Sequence, residues 1–435
     1  MKRKLLKQIG HEWRSNLWLA FELLVISIVL WYIADFLSVQ IITLNEPMGR
    51  HTENCYLISY DRVQPGSDGF NPADSTRETY IDNWTQFIDR LRSYPDIEEL
   101  AQCNHLGVPY RQSSWNVSLT GTDGTDTIYL VNPSVMYVTP DYIRMFRITG
   151  PRGESTEQLA KILESGSAII SGNTLKITEF TNEAVLKAVR NRDTADPYEH
   201  VGKRFICPAI TETDSITIGA IMLPTKRIEY EHPGQNILIR LDPLDFSNGQ
   251  ECIVRVKADR VDGFEERILA DSEDRLRVGN FFISDVMSLM SIRNISQADY
   301  RDKMVNHWVV MLFLLASIFL GLLGTFWFRT QQRVSEIAIR KVNGASSAMI
   351  MRRLIGEGLM LLVIVTPLAI AGDWLLCHFE LNTPIDWYGT PVSPLRFLLL
   401  AAIVFATISL MIILGIWFPA TRAMRIDPAT ALKDE

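Results

Sequence analysis

Four long apolar segments, with one very long polar stretch after the first, constrain this 435-residue chain more than any other feature. They cover residues 17–37, 304–328, 357–377 and 397–418, and each approaches the roughly 20 residues that a helix needs to cross a bilayer. Because backbone groups in lipid must pair within their own segment, the sequence predicts four transmembrane helices. The predicted fold is a membrane protein with one span, a large α+β domain and three further spans.

The distribution of lysine and arginine predicts the orientation, since the cytoplasmic flanks of spans carry the excess. Among the short flanks and loops of the spans, these residues are concentrated in three stretches: 1–16, 329–356 and 419–435. The stretch 378–396 contains only Arg396. Both termini and the region 329–356 are therefore predicted to be cytoplasmic, whereas the domain 38–303 and the short loop 378–396 are predicted to be extracytoplasmic.

Residues 1–16 precede the first apolar segment. That segment is longer than the 7–15 residues typical of a signal peptide and no Ala-x-Ala site follows it, so we expect an uncleaved anchor. Leu5, Leu6 and Ile9 share one helical face, which favours an amphipathic helix on the inner membrane surface. An ordinary basic flank is the other interpretation.

Motifs for covalent chemistry are missing from the sequence. It has no GxxxxGK[ST] phosphate loop, no HExxH and no GxSxG. The seven histidines are scattered, without the spacing of a helical metal site. A net charge of −7, with acidic residues abundant in the long polar stretch and basic residues in the inner flanks of the spans, also gives no sign of nucleic-acid binding. We therefore predict no catalytic residues and no metal ligands.

The long polar stretch mixes helical and strand patterns. Tyr80, Trp84, Phe87 and Leu91 recur near the helical period, which predicts a helix over 75–91. Further helices are predicted at 183–190 and 263–271. Strands are predicted at 115–119, 127–131, 167–170, 216–223, 236–241 and 251–256. A composition change near 150–155 either divides the domain into two lobes or marks a surface loop.

Four of the five cysteines lie in this stretch: Cys55, Cys103, Cys207 and Cys252. Four cysteines allow three disulfide pairings, and no CxxC spacing selects one of them. Free buried thiols are the alternative.

The region between the second and third spans has the most specific pattern, FRTQQRVSEIAIRKVNGASSAMIMRRLIGEGLM. Glu336 and Arg340 lie one helical turn apart and can pair, and Gly344 marks the end of a short helix. Such a charged helical wedge either is a solvated connection or forms a contact for another protein.

These residues resemble the FtsX-like permeases, in particular the MacB-type (type VII) transmembrane subunits of ABC transporters. That family has the pattern R-x-x-E-I-x-I-R-K-x-x-G-A-S between spans two and three. Here it is matched by Arg333, Glu336, Ile337, Ile339, Arg340, Lys341, Gly344, Ala345 and Ser346. The closing pattern P-A-x-x-A-x-x-x-D-P-x-x-A-L-x-x-E is matched by Pro419, Ala420, Ala423, Asp427, Pro428, Ala431, Leu432 and Glu435.

The resemblance implies a permease subunit of the bacterial inner membrane that transmits ATP-driven motion to an extracytoplasmic domain, for mechanotransmission or efflux. The ATPase would be a separate subunit that binds ATP and Mg, so this chain itself would hold no cofactor. The resemblance also implies pairing with a second, identical or similar permease, and it leaves room for a periplasmic partner. The residues expected to contact the ATPase are Arg333, Glu336, Ile337, Arg340, Lys341, Gly344 and Ala345.

Small residues one turn apart in two spans favour close helix packing: Ser317 with Gly321, and Ala402 with Ala406. They serve either packing within the bundle or a dimer contact. Glu22 and Asp373 lie toward span ends, where we expect their side chains to reach the membrane interface.

Two other functions fit the same pattern. In one, the fold is the same but the outer domain activates a cell-wall hydrolase or releases a lipoprotein. In the other, the chain is a receptor or scaffold whose outer domain binds a ligand and whose inner wedge recruits a signalling protein.

Overall fold

The computed structural model describes residues 13–123, 126–191, 196–207, 215–244, 250–379 and 393–423. Most of the predicted N-terminal helix, of the loop 378–396 and of the tail 419–435 lies outside the described residues. The chain divides into two compact units. Thr43–Arg301 forms one, here called the insert domain, and the residues before and after it form the other, here called the helix unit.

The described residues contain eleven α-helices and twelve strands besides short 3₁₀ turns. The helices are α1 (Trp13–Asn45), α2 (Arg77–Arg92), α3 (Pro140–Met145), α4 (Thr156–Glu164), α5 (Asn182–Asn191), α6 (Phe264–Ala270), α7 (Leu289–Ser296), α8 (Ala298–Gln332), α9 (Val334–Val342), α10 (Ser347–His378) and α11 (Pro394–Ala423). The strands are β1 (Cys55–Arg62), β2 (Ile97–Cys103), β3 (Leu119–Asp123), β4 (Asp126–Val131), β5 (Ser134–Val138), β6 (Ala168–Ser171), β7 (Leu175–Ile177), β8 (Arg204–Ile206), β9 (Ser215–Met222), β10 (Asn236–Arg240), β11 (Glu251–Val256) and β12 (Phe281–Ser288).

The helix unit contains the long helices α10 and α11 and most of α1 and α8. Each of these four helices is long and apolar enough to cross a membrane. Their shared core contains Leu23, Trp31, Leu322, Leu362 and Ile412, all nearly inaccessible to solvent. The predicted fold class, four transmembrane helices with an α+β domain between the first and second, is confirmed.

In the insert domain the strands lie in the order β12-β1-β11-β2-β5-β10-β6-β9-β8-β3-β4-β7. The pairs β5–β10 and β6–β9 are parallel and the other neighbours are antiparallel. Successive residues of β1 lie in different cores: Leu57 packs with α3, α4 and α7, and Ile58 packs with α2 and α6. This part of the sheet is therefore covered by helices on both faces.

Helix α2 shows why the local sequence selects its structure. Thr76 accepts a hydrogen bond from the Thr79 N–H and so caps the first turn. Trp84, Phe87 and Leu91 then recur at helical spacing and are buried against the sheet. The helix predicted over 75–91 is present with only small changes at its ends.

The strand predicted at 115–119 is wrong over most of its length, because β3 begins only at Leu119. Asn116 forms an isolated bridge with Ser134, and the neighbouring backbone bonds join Val117 to Pro133 and Val135 to Trp115. These few contacts hold the segment extended without a continuous ladder.

Residues 150–155 form the turn between α3 and α4, as the surface-loop interpretation expects. Strands from before and after this turn are interleaved in one sheet, since β1 lies between β12 and β11. A division into two lobes at this position stays a prediction.

All five cysteines are free thiols, and the four in the insert domain are buried. Cys55 and Cys103 belong to the core on one face of the sheet and Cys252 to the core on the other. Burial raises the pKa of the Cys55 thiol to about 12 and holds that of Cys103 well above its usual value.

We therefore expect alkylating reagents at pH 8 to leave these thiols unmodified in the folded chain, because the thiolate is the reactive form. Mass spectrometry after iodoacetamide treatment should locate modification at Cys55, Cys103 and Cys252 only when denaturant is present. Rapid labelling of any of the three under native conditions would contradict their burial.

Candidate functional site

The candidate site is the connection between α8 and α10, residues 333–346, here called the elbow. It contains α9, and Gly344 in the left-handed conformation (φ +83°) ends this helix. The Gly344 N–H donates to the Lys341 carbonyl and the Ala345 N–H to that of Arg340, each at 3.0 Å. Ser346 then accepts from the Met349 N–H and starts α10. The turn between the two helices is thus fixed by local hydrogen bonds.

The inner face of α9 is buried in the helix unit. Ile337 and Ala338 are 4% and 5% exposed, and Ile337 belongs to the same core as Phe326 and Ile350. The prediction that Ile337 contacts a partner is corrected here, because its side chain is enclosed by its own chain. Ile337 instead attaches the elbow to the long helices.

Ion pairs strengthen this attachment. Arg333 at the start of the elbow pairs with Glu357 of α10, and Arg353 lies 3.3 Å from the same carboxylate. The Arg333 and Glu357 side chains are both mostly buried. Arg333 was predicted to contact an ATPase, but the structure places it in a pair within the helix unit.

The outer face of α9 carries both charge and exposed apolar surface. Glu336 and Arg340 pair across one turn, with Nε to Oε1 at 3.0 Å, and remain about one-third exposed. Ile339 and Val342 are 50% and 65% exposed. Exposed Met349 follows in the first turn of α10.

Ile339, Val342 and Met349 were missing from the residues predicted to bind a partner. At about 100° per residue, Ile339 and Val342 lie about 200° and 140° around the helix from Ile337. They therefore cannot share its buried face. This angular offset is visible in the sequence once Ile337 is known to point inward.

Residues 308–428 match the FtsX-like permease C-terminal family. The match includes the elbow, most of α8 and all of α10 and α11. This region of the chain is similar to the C-terminal region of FtsX-like permeases. The match agrees with the resemblance of the elbow and tail motifs.

Two solved structures are similar to part of the chain. One is the extracellular domain of the ABC-type transporter YknZ from Gram-positive bacteria, at 12% identity over 53% of this chain and 100% of that one, with a TM-score of 0.28. The other is the periplasmic region of MacB from Actinobacillus actinomycetemcomitans, at 11% identity over 58% and 96%, with a TM-score of 0.28. Such low TM-scores support no functional conclusion. No curated protein sequence matches the chain.

Gly344 gives a test of the turn in the elbow. An added Cβ would meet no atom within 4 Å at Gly344 or at Gly356 of α10, so the two glycines differ only in backbone conformation. We expect Gly344→Ala to destabilise the elbow by about 1–2 kcal/mol, because φ is positive there. Gly356→Ala should be neutral or stabilising, since alanine is the better helix former. Thermal unfolding in detergent measures both, and equal melting temperatures would contradict the assigned turn.

The small residues singled out in α8 and α11 lie on exposed surfaces of the helix unit. Ser317, Gly321, Ala402 and Ala406 are all exposed, and a Cβ at Gly321 would meet nothing within 4 Å. Packing within the bundle, one of the two interpretations of these residues, is therefore wrong for this set. Internal contacts use other glycines, since a Cβ at Gly358 would lie 2.8 Å from Ile412.

The acidic residues of the spans are bonded or buried. Glu22 accepts a hydrogen bond from Thr325 at 3.1 Å. Asp373 is only 3% exposed, so the expectation that its side chain reaches the membrane interface is wrong. Asp35, which no sequence pattern indicated, is fully buried and forms an ion pair with Arg396 at the start of α11. This pair links the first and last long helices.

Proposed function

We propose that this chain is the permease subunit of an ABC transporter that transmits ATP-driven motion from a separate ATPase to the insert domain, for mechanotransmission or efflux. The observation that carries the proposal is the two-sided elbow. Its inner face is enclosed by the long helices, and its outer face presents Ile339 and Val342 beside the Glu336–Arg340 pair. An exposed apolar centre with a polar rim is the usual composition of a protein-binding surface.

Transmission through the elbow has a physical route. A force applied to α9 reaches α10 through the Arg333–Glu357 pair and reaches the core through Ile337. Tightly packed interiors are not freely compressible, so such a displacement moves the attached helices. Lys341, Gly344 and Ala345 belong to the same proposed contact, with Gly344 allowing the sharp turn.

In this proposal the elbow and both termini are cytoplasmic and the insert domain is extracytoplasmic, in the bacterial inner membrane. The basic residues of 1–16, 329–356 and 419–435 support this orientation. ATP and Mg are bound by the partner ATPase, and this chain contributes no cofactor ligand.

We also propose that two such chains pair through the exposed small residues of α8 and α11, Ser317, Gly321, Ala402 and Ala406. Small residues at a lipid-facing surface allow a second helix to approach closely. Oxidation of chains with Gly321→Cys, in a Cys377→Ser background, should give a covalent dimer. Cysteine in place of exposed Val363 on α10 should not, and equal cross-linking at both positions would contradict this seam.

Co-purification tests the ATPase proposal. The double variant Glu336→Ala, Arg340→Ala should lose association with the ABC ATPase and the hydrolysis that depends on it. The matched control is Glu273→Ala, Arg277→Ala, which removes an exposed pair with the same spacing, 2.8 Å apart, from the insert domain. Unchanged association and turnover in the elbow variant would refute the assignment. Capture of a kinase or regulator in place of an ATPase would favour a receptor or scaffold.

The released or transported substance is a separate question. A transporter, an activator of a cell-wall hydrolase and a lipoprotein-releasing complex would share the same elbow and the same ATPase. ATP hydrolysis by the complex, compared with and without the insert domain, tests whether that domain is linked to the cycle.

A further inference from the structure

One loop of the insert domain holds the end of the first long helix. This loop, residues 224–236, is here called the clasp. Its Lys226 is the only lysine that is buried among the described residues, at 0% exposure. The Lys226 ammonium donates to the carbonyl oxygens of Thr43, Glu46 and Glu229, all within 3.3 Å. All three of its protons are thereby used.

Thr43 belongs to the last turn of α1, where carbonyl groups have no partner within the helix. The last turn of α1 contains no basic residue of its own. A positive charge at a helix C-terminus is favourable, both as a hydrogen-bond donor and through the helix dipole. Lys226 supplies this charge from 183 residues further along the chain.

His232 makes a second attachment from the clasp to the same helix end. Its ring nitrogens lie 3.0 Å from Thr43 Oγ1 and 2.7 Å from Glu46 Oε2. Thr43 and His232 are both buried. Just beyond the helix, the Lys226 N–H donates to the Met48 carbonyl at 3.0 Å.

The clasp also contacts the helix through which the chain leaves the insert domain. Tyr230 stacks on Tyr300 of α8 with the ring planes 9° apart. Glu229 pairs with Arg293 of α7 at 2.7 Å, immediately before α8. A single loop therefore touches both long helices that connect the insert domain to the rest of the chain.

Burying the charged ammonium group of Lys226 costs free energy. Burial lowers the pKa of Lys226 from its usual value, because the charged form loses its hydration. An apolar side chain would avoid this cost but could not bind three carbonyl groups. The placement of Lys226 therefore favours a specific attachment of α1 over simple space filling.

We propose that the clasp is the joint by which movement of α1 and α8 reaches the insert domain, with Lys226 as its central residue. This inference rests on the proposed function, since it concerns how ATP-driven motion is passed on. It assigns a positioning role to Lys226, His232 and Tyr230.

The test uses the full chain in nanodiscs with its ATPase and compares hydrogen exchange of the insert domain with and without ATP. In the unaltered complex we expect an ATP-dependent change in exchange. Lys226→Met should abolish this change while ATPase association persists. Lys161→Met, which removes a charge from a side chain that is 69% exposed, is the matched control and should respond as the unaltered chain does.

A second variant covers the case in which Lys226→Met does not fold. His232→Ala keeps the Lys226 bonds and should reduce the response without abolishing it. If folded Lys226→Met shows the same ATP-dependent change in hydrogen exchange as the unaltered chain, the proposed role of the clasp is wrong. If Lys226→Met is unfolded, the same result in His232→Ala leads to the same conclusion. If the unaltered complex binds no ATPase or shows no response, the proposed function fails and the inference falls with it.

Discussion

Replacement of Arg396 by methionine is expected to destabilise the helix unit by about 3–5 kcal/mol, the largest stability effect predicted for this chain. The reason is that Asp35 is fully buried among apolar helices and would lose its ion pair with Arg396. Thermal unfolding in detergent measures the loss.

The double variant Asp35→Asn, Arg396→Met is the decisive control. Removing both charges also removes the desolvation cost of each, so most of the stability should return. If both variants are equally unstable, the loss reflects the packing of the Arg396 side chain and not the loss of the ion pair with Asp35.

The second large effect is expected on the outer face of the elbow. Ile339→Asp with Val342→Asp should remove two exposed apolar contacts and place like charges in the proposed interface. Central interface residues contribute about 2 kcal/mol or more each, so the Kd for the ATPase should rise by about 1,000-fold. Binding of the purified ATPase to permease in nanodiscs measures this directly.

Ile295→Asp in the insert domain is the control for that experiment, since Ile295 is 67% exposed. It introduces the same chemistry at a position outside the elbow and should leave ATPase binding unchanged. Wild-type affinity in the Ile339, Val342 double variant would show that the ATPase binds elsewhere.

Much of the architecture could be predicted from the sequence because membranes impose a length and a composition on each span. The four long helices follow from that rule, and the short helix before Gly344 follows from its periodicity and its stop residue. The tail motif around Asp427 and Pro428 lies outside the described residues.

What the sequence could not supply were the contacts between distant segments. Asp35 looks like an isolated acid in an apolar run, and its partner Arg396 lies 361 residues away. The parallel pairing of β5 with β10 likewise joins strands that are far apart in the chain. Such pairings depend on tertiary packing, which local patterns do not encode.

The elbow contains both features that the sequence predicts and features that it does not. Its existence, its charges and its terminal glycine were predicted from spacing. The direction of each side chain was not, because a nine-residue helix with apolar residues on more than one side can be placed in several rotations. Packing against Phe326 and Ile350 selects the rotation that buries Ile337 and exposes Val342.

Photo-cross-linking from the elbow in living cells is the most direct test that it binds a separate ATPase. A benzophenone amino acid would replace Val342, and in a second chain it would replace Ile295 as the control. We predict that mass spectrometry identifies an ABC ATPase in the adduct from position 342 and not in that from position 295. The absence of any ATPase adduct at 342, with the chain present in the membrane at normal levels, would contradict the account.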